Sequence, residues 1–162
     1  SVGVSKVKNT QELKDALKKA AQYDEKVLVE EFISGHEVEV AVLGNKNPIA
    51  SVVGEVIAGA EFYDYDAKYN SPQSRTEIPA DISEDAAERL RKAAVTVYEA
   101  MGCKGLSRVD FFLTYEGEEV VFNEINTIPG FTSISMYPKL FEAAGVPNQK
   151  LIEELISLAM EA

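Results

Sequence analysis

The sequence predicts an α+β fold, in which an antiparallel sheet is flanked by helices. Several short segments carry an apolar residue at every second position, and turn residues separate them, as is typical of strands joined by hairpins. These segments follow one another without an intervening helix, first as a run of three and later as a pair, which argues against a doubly wound parallel sheet. Segments with apolar residues at helical spacing occur before, between and after the strand pairs, and these supply the flanking helices.

The individual elements are predicted in chain order. Five segments have strand character: residues 27–33, 37–43, 49–56, 105–114 and 119–125. Four have helix character: residues 10–22, 83–101, 136–144 and 147–160. Asn9 is suited to cap the first helix, because its side chain can accept hydrogen bonds from free N–H groups. Ser34-Gly35 is expected to join the first two strands in a hairpin, and strict alternation in EVEVAVL predicts a half-buried second strand.

Residues 58–81 are predicted to form a long irregular segment. This stretch is rich in tyrosines, contains two prolines and has no periodic pattern. An irregular segment of this length inside a compact domain is usually functional or disordered. We expect a mobile loop that is ordered only when its contacts are complete.

Composition narrows the class of protein. The chain has 162 residues, 46% hydrophobic residues and a formal net charge of −11, which argues against a nucleic-acid binder. No apolar run approaches the roughly 20 residues of a membrane span. The single cysteine excludes an intrachain disulfide and fits a reducing compartment. Because the chain begins without Met, we expect it to be a segment of a longer protein.

Two of the predicted strands combine polar residues on one face. Arg108 and Asp110 are two residues apart, as are Glu124 and Asn126, so each pair shares a strand face. If residues 116–118 form a three-residue hairpin loop, Asp110 is opposite Glu124 and Arg108 is opposite Asn126. Two carboxylates and an amide oxygen are ligands that suit Mg²⁺. A solvated sheet face with an arginine–carboxylate pair explains the same spacing, and both interpretations stay open at this point.

The segment that follows carries a family resemblance. The sequence EINTIPGFTS, residues 124–133, closely resembles the signature E-x-N-T-x-P-G-[FM]-T of the D-alanine–D-alanine ligases, which are ATP-grasp enzymes. Four further segments resemble parts of this family in the same order: SVGVSKV the end of its ATP loop, VEEFISGHEVEVAVLG its adenine hinge, FYDYDAKY its ω-loop and GCKGLSRVDFF its metal-site strand. The resemblance implies that residues 1–162 are a single ATP-grasp C-terminal portion that starts inside the phosphate loop, with the ω-loop at 58–81.

The resemblance also implies roles for individual residues. The metal ligands for two Mg²⁺ or Mn²⁺ ions are Asp110, Glu124 and Asn126. At the reacting centre the resemblance implies Arg108 and the backbone amide of Gly130. Residues implied to bind ATP are Ser1, Glu30, Glu31, Phe32, Ile33, Glu37 and Lys68, and residues implied to bind the second substrate are Tyr69, Ser135 and Met136.

The activity implied by the resemblance is ATP-dependent ligation of two D-alanines through an acylphosphate, for peptidoglycan synthesis in the cytoplasm, by an enzyme that is a homodimer when intact. We expect residues 1–162 alone to be inactive, because in this family an N-terminal part holds the first D-alanine. Three alternatives remain: another ATP-grasp ligase such as a D-Ala–D-lactate ligase, a non-catalytic metal-binding module, and a purely structural domain.

Overall fold

A computed structural model of the chain describes residues 2–57 and 75–161. The chain divides into two compact units, one comprising Ser1–Ile33 and Ala58–Arg75 and the other comprising Ser34–Ile57 and Thr76–Ala162. The predicted loop over 58–81 lies partly outside the described residues. Within its described part, residues 75–77 form a strand, so the prediction of irregular structure was wrong there.

The first unit contains helix α1, Thr10–Ala20. Asn9 caps it as predicted, since its Oδ1 accepts from the N–H groups of Gln11 at 3.1 Å and Glu12 at 3.0 Å. The carboxylate of Glu12 accepts in return from the N–H of Lys8 at 2.8 Å. This reciprocal pair satisfies N–H groups at the start of the helix that the helix itself leaves without partners.

The strand predicted over residues 27–33 is not formed. These residues join no ladder in the described part of the chain, and Leu28, Val29 and Phe32 are exposed. Their composition favours extended backbone, but a strand also needs a neighbouring edge to which it can hydrogen-bond. The predicted hairpin at Ser34-Gly35 is absent for the same reason, and the strand that begins at Gly35 pairs elsewhere.

The second unit is built on a five-stranded sheet with the order β3-β2-β1-β4-β5. Its strands are β1 Gly35–Leu43, β2 Ile49–Ile57, β3 Arg75–Glu77, β4 Leu106–Thr114 and β5 Val120–Asn126. Its helices are α2 Glu84–Ala100, α3 Met136–Ala143 and α4 Asn148–Met160. The ladders β1–β2, β1–β4 and β4–β5 are all antiparallel, which confirms the predicted α+β fold.

Helices cover both faces of the central strands. On one face α2 packs against Val38, Val40 and Val42 of β1, and on the other face α3 and α4 pack against Ala41 and Leu43. Residues 38–43 are therefore all buried, and the prediction of a half-buried strand was wrong. The sequence EVEVAVL alternates because Glu39 and Ala41, which share a face with Leu43, are polar or small. That face is nevertheless buried, because it lies beneath α3.

A glycine on β2 allows α3 to approach the sheet closely. Gly54 is opposite Glu39 in the β1–β2 ladder, so both face α3. A Cβ at Gly54 would lie 2.6 Å from Leu140 Cδ2 and 2.8 Å from Met136 Cε. The first turns of α3 therefore lie over Gly54, directly beside Glu39. No helix in the part of the chain that the structure describes is long and apolar enough to cross a membrane.

Candidate metal and nucleotide site

Three carboxylates lie side by side across one face of the sheet. Glu39 is opposite Asp110 in the β1–β4 ladder, and Asp110 is opposite Glu124 in the β4–β5 ladder. Residues directly opposite each other on neighbouring strands share a face, and the strands are about 4.8 Å apart. We call Glu39, Asp110 and Glu124 the acidic row. It confirms the predicted pairing of Asp110 with Glu124 and adds Glu39, which the sequence analysis missed.

The loop that precedes β5 differs from the predicted turn over residues 116–118. Leu113 is opposite Val120, whereas a three-residue loop would place it opposite Val121. A β-bulge compensates for this difference of one residue. Asn123 is an extra residue on β5, at the level of the step from Asp110 to Phe111 on β4. The predicted pairing of Asp110 with Glu124 is therefore right, although the predicted turn was wrong.

The bulge also determines which face Glu124 occupies. Phe122 is opposite Phe111, and their ring centroids are 6.1 Å apart on the face that α2 covers. In a regular strand Glu124, two residues later, would share that face. The extra residue reverses the alternation, so Glu124 and Asn126 lie on the face of the acidic row instead.

Arg108 lies next to the acidic row and is held by two of its members. It is opposite Asn126, as predicted. Its Nε donates to Asp110 Oδ1 at 2.8 Å and its Nη2 donates to Asp110 Oδ2 at 2.7 Å. Such a two-point contact is the strongest arrangement for an arginine and a carboxylate. The same Nε lies 3.1 Å from Glu39 Oε2, so a second strand also contacts the guanidinium.

The charges around Arg108 keep it cationic. Burial alone would lower the pKa of Arg108, but the hydrogen bond to Asp110 and the charges of Glu39, Asp110 and Glu124 raise it above its usual range. Arg108 is therefore a fixed positive charge in a half-buried position. Asp110 and Glu124, which are opposite each other, repel one another when both are charged, and a bound cation would relieve that repulsion.

The residues present fit a hard divalent cation. Asp110 and Glu124 provide two adjacent carboxylates, and Asn126 provides an amide oxygen that accepts from the Ile128 N–H at 3.3 Å. This donor set suits Mg²⁺ or Mn²⁺. Among the described residues, no three His, Cys, Asp or Glu side chains form a metal-binding group. The protein would thus leave several coordination positions to phosphate oxygens and water.

The loop after β5 brings Gly130 and Ser135 together. Ser135 Oγ accepts from the Thr132 N–H at 3.0 Å and is 2.9 Å from Thr132 Oγ1. A Cβ on Gly130 would lie 2.9 Å from Ser135 Oγ, so a side chain at this position would displace the hydroxyl. Ser135 precedes α3 without capping it through its side chain. The start of α3 therefore keeps N–H groups that can bind an anion.

Met136 follows Ser135 and points away from this loop. Its side chain is buried in the core beneath α3, with its Cε next to Gly54. A role in substrate binding would therefore fall to its backbone N–H, at the first position of the helix.

The residues expected at the ATP site are distributed over both units. Glu37 lies two residues before Glu39 on the same face of β1 and is opposite Phe112. Glu30, Glu31, Phe32 and Ile33 belong to the first unit. There Lys6 Nζ lies 3.6 Å from the centroid of the Phe32 ring, a cation–π contact that the sequence analysis did not predict. Ser1, Lys68 and Tyr69 lie outside the described residues.

His36 occupies the opposite face of β1 from Glu39. Strand β1 begins at Gly35 and places His36 within the sheet. Its Nδ1 lies 2.6 Å from Glu55 Oε1, and its ring contacts Tyr115 edge to face at 4.7 Å. Glu55 is thus a buried carboxylate with a basic partner of its own, on the opposite face of the sheet from Arg108.

Comparisons with known proteins give a matching family model and several similar proteins. Residues 1–157 match the family model described as D-ala D-ala ligase C-terminus. Similar proteins include the D-alanine–D-alanine ligase of Acetivibrio thermocellus, with 58% identity over 99% of this chain and 43% of that protein. The ligase of Chlorobaculum parvum is 55% identical over 99% of this chain and 44% of its own length.

Solved structures give the same result. The D-alanine–D-alanine ligase of Coxiella burnetii has a TM-score of 0.85 and 42% identity, over 98% of this chain and 41% of that one. The VanG D-Ala:D-Ser ligase of Enterococcus faecalis has a TM-score of 0.87 and 45% identity, over 96% of this chain and 45% of that one. The chain spans less than half the length of each of these relatives.

Proposed function

Since the chain belongs to the D-ala D-ala ligase C-terminus family, we propose that the protein containing it joins two D-alanines in an ATP-dependent reaction. The observation that carries the proposal is the shared sheet face, where Arg108 and the acidic row lie beside the amide oxygen of Asn126. The product, D-alanyl-D-alanine, is a component for peptidoglycan synthesis, and we propose a cytoplasmic reaction by a homodimer on the basis of the family resemblance.

The first step activates a carboxylate. The carboxylate of the first D-alanine attacks the γ-phosphorus of ATP, the bond to the bridging oxygen breaks, and ADP leaves an acylphosphate behind. Asp110, Glu124 and Asn126 would hold the Mg²⁺ or Mn²⁺ ions, two as the resemblance implies, whose charge offsets that of the phosphates. Arg108 is a fixed positive charge near the transferred phosphoryl group and needs no rearrangement to stabilise it.

The second step forms the peptide bond. The amine of the second D-alanine attacks the acyl carbonyl, and the tetrahedral intermediate collapses with release of phosphate. The Gly130 N–H and the Arg108 guanidinium are suited to stabilise the oxyanion. Ser135 and the N–H of Met136 at the start of α3 are suited to hold the carboxylate of the second D-alanine. Positioning two reactants in this way accounts for much of the expected acceleration.

The nucleotide contacts complete the proposal. We assign the ribose hydroxyls to Glu37 and the adenine to the backbone of residues 30–33. We assign phosphate contacts to Ser1 and Lys68, and a preference for D-alanine as the second substrate to Tyr69. The ω-loop that the resemblance implies lies largely outside the described residues, and in the proposed reaction it would exclude water, which protects the acylphosphate.

Coupled ADP release tests the proposal. The protein containing this chain is assayed with ATP, Mg²⁺ and D-alanine, beside an Asn126→Ala variant, an Asn47→Ala control in the exposed β1–β2 turn, and the 162-residue chain by itself. We expect D-alanine-dependent ADP release by the parent and the control, a loss of at least about 100-fold in Asn126→Ala, and none by the 162-residue chain. Absence of D-alanine-dependent turnover in the parent contradicts the proposal.

A different acceptor is the second candidate. The 45% identity to the VanG D-Ala:D-Ser ligase favours D-serine as one alternative, and D-lactate represents the ester-forming ligases. The same assay is run with D-alanine held below saturation and each acceptor in excess. The product that forms then shows which acceptor the enzyme uses. A non-catalytic metal-binding module predicts instead that Mg²⁺ affinity is the same with and without nucleotide.

A further inference from the structure

We infer that Glu39 is a positioning residue, which holds the Arg108 guanidinium beside the acidic row when Asp110 binds a divalent cation. The inference rests on the proposed function and adds a residue to it. Glu39 was not among the residues that the family resemblance suggested for the site. Three features of the fold carry the inference: the two-strand contact with Arg108, the position of Asp110 between two neighbours, and the burial of Glu39.

Arg108 is contacted from two different strands. Asp110 lies on the same strand as Arg108 and binds it through both carboxylate oxygens, at 2.8 and 2.7 Å. Glu39 lies on β1 and approaches Nε at 3.1 Å. The contact from Glu39 is an ion pair without hydrogen-bond geometry, and it adds an attraction from β1 to the two-point contact that Asp110 makes from β4.

Asp110 has two competing tasks in the proposed reaction. In this structure both of its oxygens bind Arg108, yet the same carboxylate is a proposed metal ligand. A cation at Asp110 draws negative charge away from Arg108 and repels the guanidinium directly. The contact between Arg108 and Asp110 must therefore weaken at the stage of the reaction that needs Arg108 in place.

Glu39 is placed to compensate for that weakening. Asp110 lies between Glu39 on β1 and Glu124 on β5, so Glu39 flanks Asp110 on the side away from Glu124 and Asn126. Among the described residues, the three carboxylates do not form a single metal-binding group. Glu39 can therefore stay beside Arg108 while Asp110 and Glu124 bind the cation.

Burial strengthens this contact. Glu39 is 5% exposed, because Gly54 beside it lets the first turns of α3 cover the sheet. Little water competes for the carboxylate, so its attraction for a guanidinium is greater than at the surface. Burial of a carboxylate is costly unless a cation accompanies it, which makes Arg108 and Glu39 mutually dependent.

Steady-state kinetics give the first test, with Glu39→Gln in the protein containing this chain and Glu55→Gln as the matched control. Glu55 is also buried and has a basic partner, His36, but it lies on the other face of the sheet. We expect Glu39→Gln to lower kcat about 30- to 100-fold with KM for ATP changed less than about threefold, and Glu55→Gln to retain kcat. In an Arg108→Ala background, Glu39→Gln should cause no further loss, since its effect acts through Arg108.

Nuclear magnetic resonance gives a second readout that does not depend on activity. The Nε–H signal of Arg108 is followed in the protein containing this chain, labelled selectively at arginine, while Mg²⁺ is added. We expect slow exchange with water throughout in the parent and in Glu55→Gln. In Glu39→Gln, Mg²⁺ should accelerate the exchange about tenfold or more, because the remaining contact to Asp110 is weakened.

Three results would overturn the inference. Unchanged Nε–H exchange in Glu39→Gln with Mg²⁺ bound would show that Asp110 alone holds Arg108. A Mn²⁺ affinity that falls in Glu39→Gln with an unchanged Arg108 signal would make Glu39 a metal ligand. Equal losses of kcat in Glu39→Gln and Glu55→Gln would make burial the cause. If the parent shows no D-alanine-dependent ADP release, the proposed function fails, and the Nε–H measurement alone then decides on Glu39.

Discussion

Asp110 and Glu124 face each other directly across the β4–β5 ladder, at the last pair before the bulge at Asn123. The two carboxylates share a proposed role as metal ligands but differ in their surroundings. Asp110 is 7% exposed and forms a two-point contact with Arg108, whereas Glu124 is exposed on a strand at the edge of the sheet. Replacing either carboxylate by its amide should therefore have the same effect on metal binding and different effects on folding.

The first prediction compares Asp110→Asn with Glu124→Gln. Both should reduce Mg²⁺-dependent ADP release by at least about 100-fold, because each removes a charged ligand. Asp110→Asn should also lower the free energy of unfolding by about 3 kcal/mol, since it breaks a buried pair and leaves Arg108 with Glu39 alone. Glu124→Gln should unfold like the parent or be slightly more stable without metal, because it relieves repulsion with Asp110.

Urea unfolding in the absence of metal, and ADP release over a range of Mg²⁺ concentrations, check this prediction. Glu153→Gln on the exposed side of α4 is the control for loss of an acidic charge. Equal destabilisation by Asp110→Asn and Glu124→Gln would contradict the assignment of Arg108 to Asp110.

The second prediction concerns Gly130 and Ser135. In Gly130→Ala the new Cβ would meet Ser135 Oγ at 2.9 Å, so the hydroxyl must leave Thr132. We expect KM for the second D-alanine to rise about tenfold or more in both Gly130→Ala and Ser135→Ala, because each disturbs a proposed carboxylate contact.

The double variant Gly130→Ala/Ser135→Ala separates loss of the Ser135 hydroxyl contact from the steric clash with a Cβ at Gly130. Ser135→Ala removes the atom that a Cβ at Gly130 would approach, so adding Gly130→Ala should cost less stability there than in the parent. Thermal unfolding of the four proteins and KM for the acceptor are the measurements. Fully additive effects on stability would show that the Ser135 hydroxyl is not what excludes a side chain at Gly130.

Much of the fold follows from local patterns in the sequence. Alternation and helical spacing located four of the five predicted strands and all four helices, because those patterns reflect one buried face. The prediction of a strand over residues 27–33 was wrong, because strand pairing depends on a neighbouring sheet edge that no local pattern reveals. Burial of residues 38–43 on both sides could not be predicted either, since small residues beneath α3 resemble an exposed polar face.

Part of the site was predicted correctly, but from an assumption about a turn that was wrong. The pairing of Asp110 with Glu124 was deduced from a three-residue hairpin loop, which the structure does not contain. The bulge at Asn123 restored the expected register. Nothing in VVFNEIN distinguishes a bulged strand from a regular one. Glu39 was missed, although its spacing from Glu37 placed both carboxylates on one face, because its contact with Arg108 depends on β1 and β4 being neighbours.

The third prediction tests the close approach of α3 to the sheet. Gly54→Ala should lower the free energy of unfolding by about 1–3 kcal/mol, because the added Cβ meets the ends of the buried Leu140 and Met136 side chains. Displacement of α3 should also increase access of water to Glu39. In a Met136→Ala background, Gly54→Ala should lower the free energy of unfolding by less than it does in the parent, and urea unfolding of the single and double variants measures the difference. A stability equal to that of the parent would show that α3 can move at no cost.

The fourth prediction concerns stability at alkaline pH. Burial, with a smaller effect of Cys103, raises the pKa of Tyr98 to about 12, and burial also raises the pKa of Tyr137 above its usual range. Their hydroxyls donate to the carbonyl oxygens of Gly44 at 2.7 Å and Val42 at 3.1 Å, contacts that a phenolate would lose. Above pH 10 the unfolded chain releases these protons before the folded chain does, so the folded state holds more protons and loses stability as pH rises.

Each tyrosine should therefore lower the free energy of unfolding by at most about 1.4 kcal/mol per pH unit between pH 10 and 12. The decrease due to Tyr137 should continue at higher pH. Tyr98→Phe should cost about 1 kcal/mol at pH 7 through the lost hydrogen bond, yet its stability should fall less steeply above pH 10 than that of the parent. The exposed Tyr115→Phe is the control and should follow the parent at every pH. Urea unfolding at pH 7, 10 and 11 measures the slopes, and parallel slopes for Tyr98→Phe and the parent would show that Tyr98 ionises with equal ease in the folded and unfolded chain.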